Sequence, residues 1–245
     1  MKLLRAVWTA LRVIAEVLGG LVIILSQFKR IDQAAREAHV QAWALRMLAV
    51  LGITLEVRGE MCAHGPVMLV ANHISWLDIL VMHAARYCRF VSKADVKHWP
   101  IVGTLATGAG TIFIERESRR DALRVVHHVA ESLQQGDVVA VFPEGTTSDG
   151  IDLLPFHANI IQAAVSAHAP AQPVGLRYID TRTRETSLTP CYIGDDTLVG
   201  SVWRLLTSSS VTAVVTYGAR EEAQGRDRRA WATDLRAAVD ALRRG

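Results

Sequence analysis

"VMLVANHISWLDI", residues 67 to 79, is an apolar run followed by a polar break that carries His73 and Asp78, five residues apart. The run Val67–Ala71 reads as a strand. A histidine and an aspartate that meet on one helix normally sit three or four apart. Five residues of regular helix advance ~500°, which leaves two side chains roughly 140° apart. The pair can meet only if His73 lies at or before the first turn and Asp78 lies one turn inside. The stretch therefore predicts a strand–turn–helix junction, with Asn72 or Ser75 as the helix N-cap.

Working outward, the same alternation continues. Apolar runs at Ile53–Val57, Arg89–Ser92, Thr111–Ile114, Val138–Phe142, Pro173–Tyr178 and Val211–Thr216 read as further strands. Helical patterns follow His73, lie within Ser118–Gln135, run from about Ala158 to Ala167, and span Asp227 to Arg243. Strands alternating with helices predict an α/β fold: a mixed, largely parallel sheet flanked by helices. Gly136-Asp137 marks a turn before the "VVAVF" run, and the polar stretch 180–200 reads as loop with a short strand.

Two hydrophobic segments precede this domain. Val13 to Leu25 is apolar except for Glu16, with Arg12 just before it. A span needs ~20 apolar residues. A charge at the bilayer centre costs about 2.5–3.5 kcal/mol. Arg12 and Glu16 stand at i,i+4, a spacing that allows them to pair, and the long Arg12 side chain can also snorkel. Insertion without a clean span, a true span and a cleaved signal peptide all remain open, although no small-x-small cleavage site follows. Val40, Trp43, Ala44, Met47, Leu48 and Leu51 form an amphipathic helix ending near Gly52, whose stripe faces the core, a membrane, or both. The expected division is residues 1–52 as a membrane-associated helical pair and 53–245 as the α/β domain.

The bulk numbers agree with a membrane surface as partner. The 245 residues are 50% hydrophobic with a formal charge of +3, and mean hydropathy is +0.20 with a pI near 8.9. A small positive excess on a hydrophobic chain suits an anionic bilayer better than nucleic acid. No basic run interleaved with aromatics suggests a nucleic-acid groove. Cys62, Cys88 and Cys191 show neither zinc spacing nor a disulfide framework. His127 and His128 point ~100° apart on one helix and form no metal pair, and no metal or nucleotide loop of the Walker type is expected.

Three segments carry residues suited to chemistry. At the junction, a carboxylate on one histidine nitrogen leaves the other free to take a proton, which describes a general base; a local capping hydrogen bond is the plain alternative. In "GTIFIER", residues 110 to 116, Arg116 ends a short strand and is suited to bidentate phosphate binding, or to pairing with Glu115 or Glu117 at the surface. In "VFPEGTTSDG", residues 141 to 150, amides near Gly145 and Thr146 with the threonine hydroxyls suit an anion. Glu144 would face the same pocket and accept a hydroxyl hydrogen bond.

Taken in order, His-x4-Asp, Gly-x-x-Phe-Ile-x-Arg, Phe-Pro-Glu-Gly-Thr and a Pro-Val strand at 173–174 resemble the glycerophospholipid acyltransferase family, most nearly the bacterial 1-acyl-sn-glycerol-3-phosphate type. The resemblance covers about residues 55 to 180. It implies a membrane enzyme of phospholipid biosynthesis that moves a fatty acyl group from acyl-CoA or acyl-carrier protein to the free glycerol hydroxyl of 1-acyl-sn-glycerol 3-phosphate. It implies His73 as base and Asp78 as its orienter, with no acyl-enzyme. The chain has no Gly-x-Ser-x-Gly elbow. By the same resemblance Arg116, Gly145 and Thr146 hold the acceptor's phosphate, Glu144 its glycerol part, and Lys93 phosphate or donor. No cofactor beyond the acyl thioester is expected. The implied location is the inner membrane with the site on its cytoplasmic side.

One departure stands out. Many members carry arginine where this chain has Thr147, and with "LLPFHANIIQAA" after it the variant is similar to the subgroup that includes lyso-ornithine lipid acyltransferases. Acylation of another lysolipid is therefore the first rival. A non-catalytic lipid-binding module and a soluble thioester hydrolase are rivals of other classes. His157 in "PFHAN" is read as a capping or core histidine, with substrate contact as the alternative.

Overall fold

A computed structural model of the chain describes residues 2–114, 119–208 and 210–245. Helices α1 (Lys2–Gln27) and α2 (Gln33–Leu51) come first. Strands β1 (Ile53–Arg58) and β2 (Val67–Ala71) precede α3 (Leu77–Ala85). Then follow β3 (Arg89–Lys93), α4 (Val102–Gly108), β4 (Ile112–Ile114), α5 (Arg119–Gln134) and β5 (Val138–Val141). The chain continues through α6 (Ala158–Ala167), β6 (Ala171–Asp180), α7 (Leu198–Thr207), β7 (Val211–Tyr217) and α8 (Arg228–Arg244).

The strands form one sheet in the order β1–β7–β6–β2–β5–β3–β4. Its pairings are parallel except for β6 with β7. Central β2 is buried throughout, as a strand covered on both faces must be. Side-chain alternation splits it between two cores. Val67, Leu69 and Ala71 join Leu48, Leu77 and Tyr178 under α2 and α3. Met68 and Val70 join Leu133, Ile161, Trp231 and Leu235 under α5, α6 and α8. Gly175 is required on β6 because a Cβ there would lie 2.5 Å from the backbone nitrogen of Arg243, so α8 sits directly on the strand.

Helix α2 starts on Asp32, whose side chain caps Ala35 N, and ends at Gly52 with φ +74°. It belongs to the core of the α/β body: Ala44, Met47, Leu48 and Leu51 are buried there. Helix α1 lies against it. The Trp43 indole donates to the Glu16 carbonyl oxygen at 2.9 Å, and Gly20 leaves room for that ring. Glu16 pairs with Arg46 at 3.2 Å. Of the partners open to Glu16, the structure shows one on the neighbouring helix, Arg46, because the carboxylate faces α2. The other flank of α1, including Leu4, Trp8, Leu11, Leu18 and Leu25, is exposed. By length and composition α1 is long and apolar enough to cross a membrane.

Two helices were not anticipated. Short α4 has glycine at two of its seven positions, which hides helical periodicity. Helix α7 begins inside the stretch read as loop, capped by Thr197 on Gly200 N. The short strand expected in that stretch is a single bridge between Ile179 and Thr186.

Candidate active site

The carboxyl end of β2 builds the site. Where the ladder to β6 stops, the Asn72 side chain takes over: its Oδ1 accepts from Leu176 N at 2.8 Å and its Nδ2 donates to Leu176 O at 3.0 Å. Asn72 therefore anchors to the next strand and does not cap α3. The residue before α3 is Trp76, which makes no side-chain cap bond. The Asp78 carboxylate reaches back instead. Its Oδ2 accepts from the amides of Ile74 (2.7 Å) and Ser75 (2.9 Å). Ser75 Oγ accepts from Leu77 N. These bonds satisfy two amides of the turn before α3 and the first open amide of the helix, Leu77 N.

The same Oδ2 meets His73 Nδ1 at 2.8 Å. The junction thus brings the pair together at a spacing of five. Asp78 is fully buried while the His73 side chain keeps 19% exposure, so the ring alone reaches outward. It stacks on Phe142, with centroids 4.0 Å apart and planes 8° from parallel. With Nδ1 committed to Asp78, Nε2 is the nitrogen left to take a proton.

The 142–148 loop holds the backbone of His73 on both sides. Glu144 Oε1 accepts from His73 N at 2.7 Å, and Ser148 N donates to His73 O at 2.8 Å. The second oxygen of Glu144 accepts from Leu154 N at 2.9 Å. Burial raises the Glu144 carboxyl above its usual range, against the pull of those two amides. The expectation that Glu144 faces the pocket is corrected: it is 3% exposed and spent on backbone amides. It ties together three chain segments, because two nearby donors outcompete solvent for a buried acceptor.

A cavity of about 340 Å³ opens at the imidazole, lined by His73, Lys93, Phe142, Gly145 and His157, with Val91, Val125 and Ile160 forming apolar wall. Lys93 is an exposed residue on this wall. Gly145 has φ +72°, and its amide donates to Phe142 O at 3.1 Å. That amide closes the turn and is not free for an anion. Thr146 is exposed beside it. Arg116 lies outside the described residues; the strand that leads to it pairs with β3, Ile114 opposite Lys93.

His157 departs from its expected role. It occupies the N-cap position of α6 but its side chain caps nothing. The exposed ring lines the cavity instead. A Cβ on Gly145 would lie 3.1 Å from its Cδ2. The Thr147 hydroxyl donates to Tyr192 O and so binds the loop to the 188–196 segment. Sequence reading also missed Tyr178, whose hydroxyl meets Asp78 Oδ1 at 2.6 Å across 100 residues of chain. No short-range pattern signals it; only the strand assignment of Pro173–Tyr178 touched it. Among the described residues no group of three or more His, Cys, Asp or Glu could hold a metal ion.

Comparison with known proteins places this fold in a family. An acyltransferase family model matches residues 54–177, and the chain belongs to that family; it is an acyltransferase. Over 184 residues it is 40% identical to the 1-acyl-sn-glycerol-3-phosphate acyltransferase of Neisseria gonorrhoeae, covering 75% of this chain and 71% of that one. Over 204 residues it is 35% identical to the lyso-ornithine lipid O-acyltransferase of Pseudomonas aeruginosa, covering 83% and 78%. The crystal structure of PlsC, the 1-acyl-sn-glycerophosphate acyltransferase of Thermotoga maritima, superposes with a TM-score of 0.70 at 18% identity over 99% of this chain and 98% of that one, a likeness of fold.

Proposed function

We propose that this acyltransferase moves a fatty acyl group from an acyl thioester to the free hydroxyl of 1-acyl-sn-glycerol 3-phosphate, forming phosphatidic acid. The observation that carries the reading is the His73–Asp78 contact of 2.8 Å at the mouth of a cavity. His73 Nε2 takes the acceptor's hydroxyl proton as that oxygen attacks the thioester carbonyl. The tetrahedral intermediate collapses, the carbon–sulfur bond breaks, and the departing thiolate takes the proton from the imidazolium. An ester and a thiol result. Asp78 holds the Nδ1 proton and offsets the charge that builds on the ring. Acyl-CoA and acyl-carrier protein both supply such a thioester.

Lys93 on the cavity wall and Arg116, with the Thr146 hydroxyl, are assigned to the acceptor's phosphate. Glu144 is assigned to the backbone of the His73 turn. Helix α1 is assigned to the membrane, by its exposed apolar flank, in the inner membrane with the cavity on the cytoplasmic side. Deleting residues 1–30 is then expected to release the protein from membranes or to make it aggregate; a soluble, active, membrane-free product refutes the anchor.

A second acceptor, lyso-ornithine lipid, is favoured by Thr147: its hydroxyl is spent on Tyr192 O and it brings no charge to the loop. The purified protein tested with lysophosphatidic acid, lyso-ornithine lipid and other lysophospholipids, against one labelled acyl thioester, separates the two. Lysophosphatidic acid is expected to give the highest kcat/KM, and preference for the ornithine lipid overturns that choice.

A further inference from the structure

We propose that Tyr178 is a positioning residue for proton transfer, its hydroxyl fixing the Asp78 carboxylate and through it the aim of the His73 ring. This rests on the general-base reading of His73. Three donors converge on Asp78 Oδ2: His73 Nδ1 and the amides of Ile74 and Ser75. All three meet the same oxygen and leave Oδ1 to another donor. Tyr178 supplies a donor to the opposite oxygen, Oδ1, at 2.6 Å. Asp78 is 0% exposed and Tyr178 3%, so the hydroxyl has no solvent competitor at that oxygen.

The anchor is rigid because β6 is. Tyr178 stands opposite Ala213 in the antiparallel pairing with β7. Two residues earlier on the same strand, Leu176 takes both bonds from the Asn72 side chain. One strand therefore holds both ends of the turn, the exit of β2 through Asn72 and the start of α3 through Asp78. His73 lies between the two fixed points.

Burial and the neighbouring Asp78 carboxylate hold the Tyr178 phenol well above the usual tyrosine range, so it stays a donor. The other ionisable groups about the turn are few. Cys191 also faces Tyr178; burial pushes its thiol up to about 11 and keeps it neutral. Glu144 bears on the His73 backbone. Lys93 and His157 face the ring across the cavity.

The test is a pH profile of Tyr178→Phe beside the wild type and His73→Ala. Losing the donor leaves Asp78 a stronger acceptor, which favours imidazolium. The acid limb of kcat/KM is expected to move up by about half a unit or more, and the plateau kcat to fall about tenfold, with both KM values within about twofold. Replacing Tyr178 by 3,5-difluorotyrosine preserves the shape and makes the phenol a stronger donor; the limb is expected to move the other way. This second variant carries the test if Tyr178→Phe does not fold. A wild-type plateau and limb in a folded Tyr178→Phe, or no movement of the limb with difluorotyrosine, overturns the proposal. Activity retained by His73→Ala overturns instead the base reading beneath it.

Discussion

Replacing Asp78 by asparagine removes one charge and little else. The amides of Ile74 and Ser75 point at Oδ2, so the asparagine oxygen must occupy that place. Its NH2 then faces the Tyr178 oxygen, which can turn from donor to acceptor. The fold is expected to survive, and a thermal melt checks it. Catalysis is not spared. As proton transfer proceeds, a positive imidazole forms 2.8 Å from a carboxylate that is 0% exposed. Two unit charges ~4 Å apart at an effective dielectric of ~20 attract by about 4 kcal/mol, which corresponds to ~10³ in rate. In steady-state assays with a labelled acyl thioester, kcat of Asp78→Asn is expected to fall about 10³-fold while both KM values stay within about threefold. A folded Asp78→Asn that loses less than tenfold refutes the reasoning, because the carboxylate would then be only a helix cap.

The remaining expectations concern other parts of the molecule. His83 is buried, and burial lowers its pKa from 6.5 to about 4. Its neutral form is favoured in the fold, so its stabilising effect is complete above ~6.5 and is lost as pH falls toward 4. Over that window denaturant titrations should show a loss of about 3 kcal/mol that His83→Leu largely removes; parallel curves would argue against it. Glu144→Gln leaves one of two backbone amides without an acceptor and should cost about 1–3 kcal/mol by denaturant melt, with kcat falling because His73 N is one of the two. An unchanged midpoint and rate would contradict that. Arg116→Ala should raise KM for a phosphate-bearing acceptor about tenfold or more and leave the donor KM nearly unchanged; equal effects on both remove Arg116 from the acceptor site.

Much of the fold was legible because its signals are local. Val67–Ala71 is an apolar run of five between turn residues, and that length between such flanks reads as a covered strand. The His73–Asp78 spacing was legible for the same reason, since only a turn before a helix lets five residues close. What escaped depends on distance or direction. Tyr178 meets Asp78 from 100 residues away, and sequence gives no register between β6 and α3. Glu144 was placed in the right loop and turned the wrong way, because the amides of His73 and Leu154 that claim it are brought up only by the fold. Of the two caps the turn offered, Asn72 bonds across to Leu176, while Ser75 Oγ takes the Leu77 amide. Glu16 could pair with its helical neighbour Arg12, while the packed arrangement of α1 on α2 offered Arg46.

The most direct measurement is single-turnover acyl transfer by purified His73→Ala, with folding confirmed by its melt. If Nε2 of this ring removes the acceptor's proton, transfer should fall at least 10²-fold and neither substrate's binding should weaken in proportion. A folded His73→Ala that retains more than a tenth of the wild-type rate would contradict the account.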